Sequence, residues 1–211
     1  YEINRNFRNE GISTRHNPEF TMIEFYEAYA DYQDLMALTN ALFSHIAAEM
    51  TDNGKVVYQN HEIDFSKPIA EMTMNEAILA HNTDLSQSDL ENIEQVKSYL
   101  TKHKVVFRED MVLEQLTLLL FEETVEEKLI QPVFITGYPA VSSPLARRSD
   151  SNPNLTDRFE LFINGNGGFI GQYLSQTFFG KLIGLQKTFS YYFIIILILG
   201  LFFISINFNP K

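Results

Sequence analysis

The first 34 residues, YEINRNFRNEGISTRHNPEFTMIEFYEAYADYQD, change hydrophobic period once, and that change commits the chain to a mixed architecture. Tyr1, Ile3 and Phe7 alternate with polar residues. Asn9 to Asn17 gathers Gly11 with Ser, Thr and Asn, and Phe20, Met22 or Ile23, and Phe25 resume the alternation. This is the pattern of two half-buried strands joined by a polar turn. From Asp34 the spacing becomes three or four, because Leu35, Leu38, Leu42 and Ile46 form the apolar stripe of an amphipathic helix. That helix is expected to pack on the sheet.

The remainder extends the same plan. Lys55 to Tyr58 and Glu62 to Phe65 predict a short hairpin turning near Gln59 and Asn60, and Thr73 to Ala80, Asp89 to Lys104 and Asp110 to Ile130 predict helices. Thr73 followed by Glu76 has the capping-box spacing. Gln131 to Thr136 reads as a buried strand, Tyr138 to Arg148 as an irregular stretch with two prolines, and Arg158 to Ile163 as a further strand. The expected class is α+β: an antiparallel sheet flanked by helices, with residues 66–130 a helical insertion. No internal repeat is present.

Charge divides the chain. Residues 1–160 hold all 27 acidic residues and 13 of the 16 basic ones, a net charge of −14, whereas the last 51 residues hold three lysines and no acid. An acidic body argues against a general polyanion binder, although a pair of arginines at contact distance can still bind a phosphate locally. The absence of cysteine removes disulfides, thiolate nucleophiles and zinc-cysteine sites. Tyr191 to Ile204 is an apolar run that, with Phe189, Ile206 and Phe208, approaches the ~20 residues needed to span a bilayer. Lys181 and Lys187 precede it and would hold its N-terminal side in the cytoplasm. The start in mid-strand, without an initiator Met or signal peptide, predicts a fragment whose N-terminal part is absent. The expected location is cytoplasmic, with membrane anchoring through 189–208 as the alternative.

The wording FRNEGISTRHNPEFTMIEFYEAYADYQDL resembles motif 2 of the class II aminoacyl-tRNA synthetases and, within that class, the lysine–tRNA ligases. FEETVEEKLIQPVFITGYPAVSSPLARRSDSNPNLTDRFELFI continues the resemblance to about residue 163. It implies a catalytic domain over residues 1–164, with ATP, Mg2+, lysine and tRNA(Lys) as the molecules handled. Amino-acid activation joins a carboxylate to the α-phosphate of ATP, so the first need is fixed positive charge, which a planar guanidinium supplies to both groups at once. The resemblance assigns that catalytic role, in contact with ATP and lysine, to Arg8. It places Glu10 on the adenine amine, Phe20 on the adenine ring, Arg15 and His16 on the terminal phosphate, Tyr26 on the ε-ammonium of lysine and Glu160 on Mg-ATP.

Taken singly, each of these residues is ordinary. An arginine on a hairpin is commonly solvated, aromatics are common in strands, and Glu160 alone is a surface acid. The joint order of more than twenty residues carries the resemblance. His45, His61, His81 and His103 lack metal-ligand spacing and are expected to face solvent, and Glu122, Glu123, Glu126 and Glu127 read as a solvated helix face. Gly165, Gly167, Gly168 and Gly171 miss the dinucleotide spacing, and there is no P-loop.

After DRFELFI the family continues with a segment of the type GREIGNGFSELND, where this chain has NGNGGFIGQYLSQ. Counted from Glu160, the expected second metal carboxylate falls on Gly167, and the carboxylate facing the ε-ammonium falls on Leu174. Motif 1, which forms the family homodimer, motif 3 and the anticodon-binding OB-fold have no match. Residues 165–211 are therefore expected to be an aberrant tail, rich in residues with A/T-rich codons as a frame change or read-through would give. The chain as written is expected to be inactive or nearly so. Two other readings are a lysyl-transferase paralogue that modifies elongation factor P and a catalytically dead, membrane-anchored binding module.

Overall fold

The computed structural model describes residues 1–9 and 17–167, and they fall in two compact units, residues 1–26 and the segment from Glu27 onward. The turn residues 10–16 and the tail, with its apolar segment 189–208, lie outside the described residues.

In the first unit, β1 (Glu2–Phe7) and β2 (Glu19–Glu24) pair antiparallel with Ile3 opposite Ile23 and Asn6 opposite Phe20. The ladder continues one step, since Arg8 N–H donates to the Pro18 carbonyl at 2.9 Å. Phe7, expected to be half-buried, is exposed, as is Tyr1.

The second unit opens with α1 (Tyr32–Met50). Asp31 caps it, accepting from the Gln33 and Asp34 amides at 2.8 and 3.2 Å, and Asp34 accepts in return from the Asp31 amide at 2.9 Å. Helix α1 packs through Phe43 against Phe65, ring centroids 5.5 Å apart. Strands β3 (Lys55–Tyr58) and β4 (His61–Asp64) form the expected hairpin. Its turn residues Gln59 and Asn60 both have positive φ, the conformation that matches the twist of a two-residue hairpin.

The main sheet runs β5 (Ala70–Thr73), β6 (Val133–Thr136), β7 (Phe159–Ile163), β8 (Asn166–Gly167). Two expectations are corrected here. The sheet is mixed, because β5 pairs parallel with β6 while β6–β7 and β7–β8 are antiparallel. Residues 66–130 also include the strand β5 and are not wholly helical. The two corrections have one cause: parallel neighbours need a long crossover, and the helices after β5 are that crossover. β5 escaped notice because four residues carry too little alternation, and its last residue, Thr73, is also the cap of the next helix.

The crossover comprises α2 (Met74–His81), α3 (Gln87–Leu90), α4 (Ile93–Lys102) and α5 (Leu113–Thr124), followed by a 3-10 turn at Glu126–Lys128. The Thr73 box is present: Glu76 N–H donates to Thr73 Oγ1 at 3.2 Å, and Glu76 accepts from the Thr73 amide at 2.7 Å. The helix expected over Asp89–Lys104 is divided, because Ser86 caps α3 and Asn92 starts α4 by accepting from the Glu94 amide at 3.0 Å. The helix expected over Asp110–Ile130 is shorter for a similar reason, tightening after Thr124 into the 3-10 turn. Apolar faces of α2, α4 and α5 meet β6 and β7 in one core, at whose centre Phe121 makes edge-to-face contacts with Phe162 and Tyr138 at 5.6 and 6.4 Å.

Beside this core, Tyr99 donates to Asp84 at 2.7 Å, and Lys102 Nζ donates to the same carboxylate at 2.7 Å. Lys102 and then Tyr99 hold the Asp84 carboxyl down at about 2, and burial followed by Asp84 pushes the Tyr99 phenol up to about 12. For Asp84 the folded value is depressed, so its contribution to stability is present above its ordinary 3.8 and is lost as pH falls through about 2. For Tyr99 the folded value is raised, so its contribution is present below 10.0 and is lost as pH rises through about 12. Carboxyl NMR is expected to place Asp84 among the last acids to protonate. Tyrosinate absorbance is expected to show Tyr99 ionising at about 12, above the ordinary 10.0; a midpoint for Asp84 near 3.8 would refute the network.

Candidate functional site

In the first unit the hairpin sets Arg8 beside Phe20. The guanidinium carbon lies 5.4 Å from the ring centroid, within cation–π range. Both positions follow from the ladder: Asn6 faces Phe20, and Arg8 stands two residues further along the same strand face. A charged fork against an aromatic face is a combination that suits a phosphate next to a base.

Tyr26 stands just beyond β2, 89% exposed, and its hydroxyl donates to Glu24 Oε1 at 3.2 Å. That hydrogen bond, reinforced by the Glu24 charge, raises the phenol above its ordinary value. With its proton committed to Glu24, the Tyr26 oxygen presents lone pairs outward, which suits an ammonium donor. Sequence reasoning missed Glu24, although the Glu-x-Tyr spacing was available as a signal. Glu10, Arg15 and His16 lie outside the described residues.

In the second unit Glu160 sits on β7 opposite Ile135 and pairs closely with Arg158, two residues earlier. The Arg158 guanidinium lies 4.0 Å over the Tyr138 ring, and its Nη1 donates to Ser143 Oγ at 2.9 Å. Tyr138 is pushed far up, first by burial and then by the Glu160 charge. Glu122, Glu123 and Glu127 are exposed, as expected of a solvated face, and Glu126 is half-buried; local desolvation, then Glu123 and Glu160, raises the Glu122 carboxyl. Among the described residues no three His, Asp or Glu side chains stand together as a metal seat. Glu160 is already paired with the Arg158 cation, and with its neighbour Glu122 it completes no three-ligand seat, so the described donors do not fit Mg2+. Gly167, where the resemblance sets a second carboxylate, lies opposite Phe162 on β8; Leu174 lies outside the described residues.

Of the histidines, His45, His61 and His103 are exposed as expected. His81 is half-buried, and that burial, with Lys128 nearby, lowers its pKa. The cleft beside β3, β4 and β5 is lined by Lys55, Glu62, Asp64, Lys67 and Gln131. Its charges are paired with one another, Lys55 with Glu62 at 2.7 Å and Lys67 with Asp64 at 3.3 Å. Gln131 bridges the Glu62 carbonyl and Asp64 amide at 2.7 and 3.1 Å, so the cleft is a joint of the fold. No described helix is long and apolar enough to cross a membrane.

The family model for tRNA synthetases class II (D, K and N) matches residues 1–173. The chain belongs to that family. This class II synthetase chain is 53% identical over 165 residues to a lysine–tRNA ligase of Legionella pneumophila (strain Lens) and 49% identical over 165 residues to one of Thioalkalivibrio sulfidiphilus. It is 50% identical over 165 residues to the heat-inducible lysine–tRNA ligase of Escherichia coli (strain K12). Each match covers 78% of this chain and 33% of the relative, so the chain spans about a third of the length of these relatives. The family match passes residue 163, so the first residues of the tail expected from residue 165 fall inside the matched range.

Proposed function

We propose that this synthetase chain is the motif 2 portion of a lysine–tRNA ligase, an ATP-dependent ligase of the cytoplasm that activates lysine and passes it to tRNA(Lys). The observation that supports this most is that the Arg8 guanidinium lies 5.4 Å from the Phe20 ring in a chain 53% identical to a lysine–tRNA ligase.

In the proposed reaction the lysine carboxylate attacks the α-phosphate of ATP, the bond to pyrophosphate breaks, and lysyl-adenylate forms. The carboxylate is already the nucleophile, so no general base is required. Arg8 aligns the two anions in line and stabilises the charge that develops at phosphorus. Phe20 stacks on adenine, Glu10 accepts from its amine, and Arg15 with His16 holds the terminal phosphate. Tyr26, backed by Glu24, accepts from the ε-ammonium. Magnesium accompanies ATP in this chemistry, and no step is assigned to it because the described donors do not fit it. The homodimer of the family remains part of the same proposal.

Direct titration of the full chain with ATP tests the reading. Binding is expected, weakened at least tenfold by Arg8→Ala, in line with the loss of a charge-assisted pair. Unchanged affinity in that variant, or no binding by the parent chain, would overturn it. Lysyl-adenylate formation is expected to fall ~100-fold or more below that of a complete enzyme, because the carboxylate positions at Gly167 and Leu174 are vacant.

A further inference from the structure

The Arg158 guanidinium is held at its terminal edge and on one face. Its edge meets Glu160 and Ser143 Oγ and its face lies on the Tyr138 ring, while its Nε is buried without a hydrogen-bond partner among the described residues. Tyr138 and Ser143 are themselves buried and lie in the irregular segment that leads from β6 back to β7. That segment is closed by Thr156, whose amide and hydroxyl both donate to the Tyr138 carbonyl at 2.9 and 3.0 Å, and by the Asp157 amide on the Arg147 carbonyl at 2.8 Å. Arg158 thus ties the far side of the loop to the strand that carries Glu160.

A divalent cation placed on Glu160 would meet that guanidinium at hydrogen-bond range, and like charges at such separation oppose each other strongly. The neighbouring strand cannot supply a second ligand either. A Cβ at Gly167 would lie under 3.0 Å from the Phe162 ring, so no side chain enters there unless a fully buried ring moves.

We propose that Glu160 in this chain is a structural counter-ion: with Arg158 it forms a clasp that pins the loop 138–156 onto β7, and β7 offers no seat for a divalent cation. The proposal concerns the carboxylate that the lysine–tRNA ligase reading assigns to Mg-ATP and therefore rests on that reading. The two fail separately, because ATP binding through Arg8 is read without any metal.

Manganese is the probe, followed by electron paramagnetic resonance on the full chain. No stoichiometric Mn2+ binding tighter than about 10⁻⁴ M is expected, that range being typical of weak carboxylate sites. One tight Mn2+ per chain, lost in Glu160→Gln, would overturn the proposal without any need for a folded Arg158 variant. Hydrogen exchange tests the clasp. Arg158→Met and Glu160→Gln are each expected to speed amide exchange in residues 138–156 about tenfold, and the double variant no more than either single one. Unchanged exchange in both single variants would equally overturn it.

Discussion

Phe121→Ala is expected to lower the unfolding free energy of the second unit by about 3–5 kcal/mol, the cost of deleting a fully buried aromatic whose site cannot collapse. Phe121 has no exposed surface and makes edge-to-face contacts with Phe162 and Tyr138, so its ring joins helix α5 to the sheet and to the loop behind it. Domains of this size hold only about 5–15 kcal/mol in total, so the variant removes a large part of it. Urea unfolding followed by circular dichroism measures the effect as a lower midpoint at unchanged slope. A loss under about 1 kcal/mol would mean that the surrounding helices close over the gap, and that Phe121 is not the element holding them apart.

A smaller but measurable loss is expected from Gly167→Glu, the substitution that would place a carboxylate where the family pattern has one. Phe162 is the obstacle: its ring atoms lie under 3.0 Å from where the first side-chain carbon would stand, and the ring is fully buried against Phe121. Overpacking of this kind commonly costs about 1–3 kcal/mol, so the variant is expected to be destabilised by that amount. Gly167→Ala should lose a similar share, because the first carbon already makes the clash. In a Phe162→Leu background the penalty of Gly167→Glu is expected to shrink, a coupling that thermal unfolding of the four combinations would detect. Equal penalties in both backgrounds would show that the ring is not the cause.

Much of the local structure was legible in the sequence because its signals are local. The period change at Asp34, the Thr73–Glu76 cap and the hairpin of β3 and β4 all depend on residues within a few positions of one another. The motif 2 arginine and phenylalanine were legible for the same reason: a hairpin ladder fixes which residues share a face. The partners were less legible. Glu24 modifies Tyr26 through a short spacing that only the observed hydrogen bond makes meaningful. Arg158 reaches back to Ser143 and Tyr138 across a loop with no periodicity to read.

From its residues alone the chain can be read as strands alternating with helices, as a hairpin that brings an arginine to a phenylalanine, and as the wording of a class II synthetase. Three-dimensional packing was needed to learn that β5 runs parallel to β6, that Glu160 is held by Arg158 over Tyr138, and that Phe162 fills the space beside Gly167. The reason is physical. Hydrophobic period records that a face is buried, while what covers it, and which charge meets which, is set by segments far apart in the chain that packing brings together.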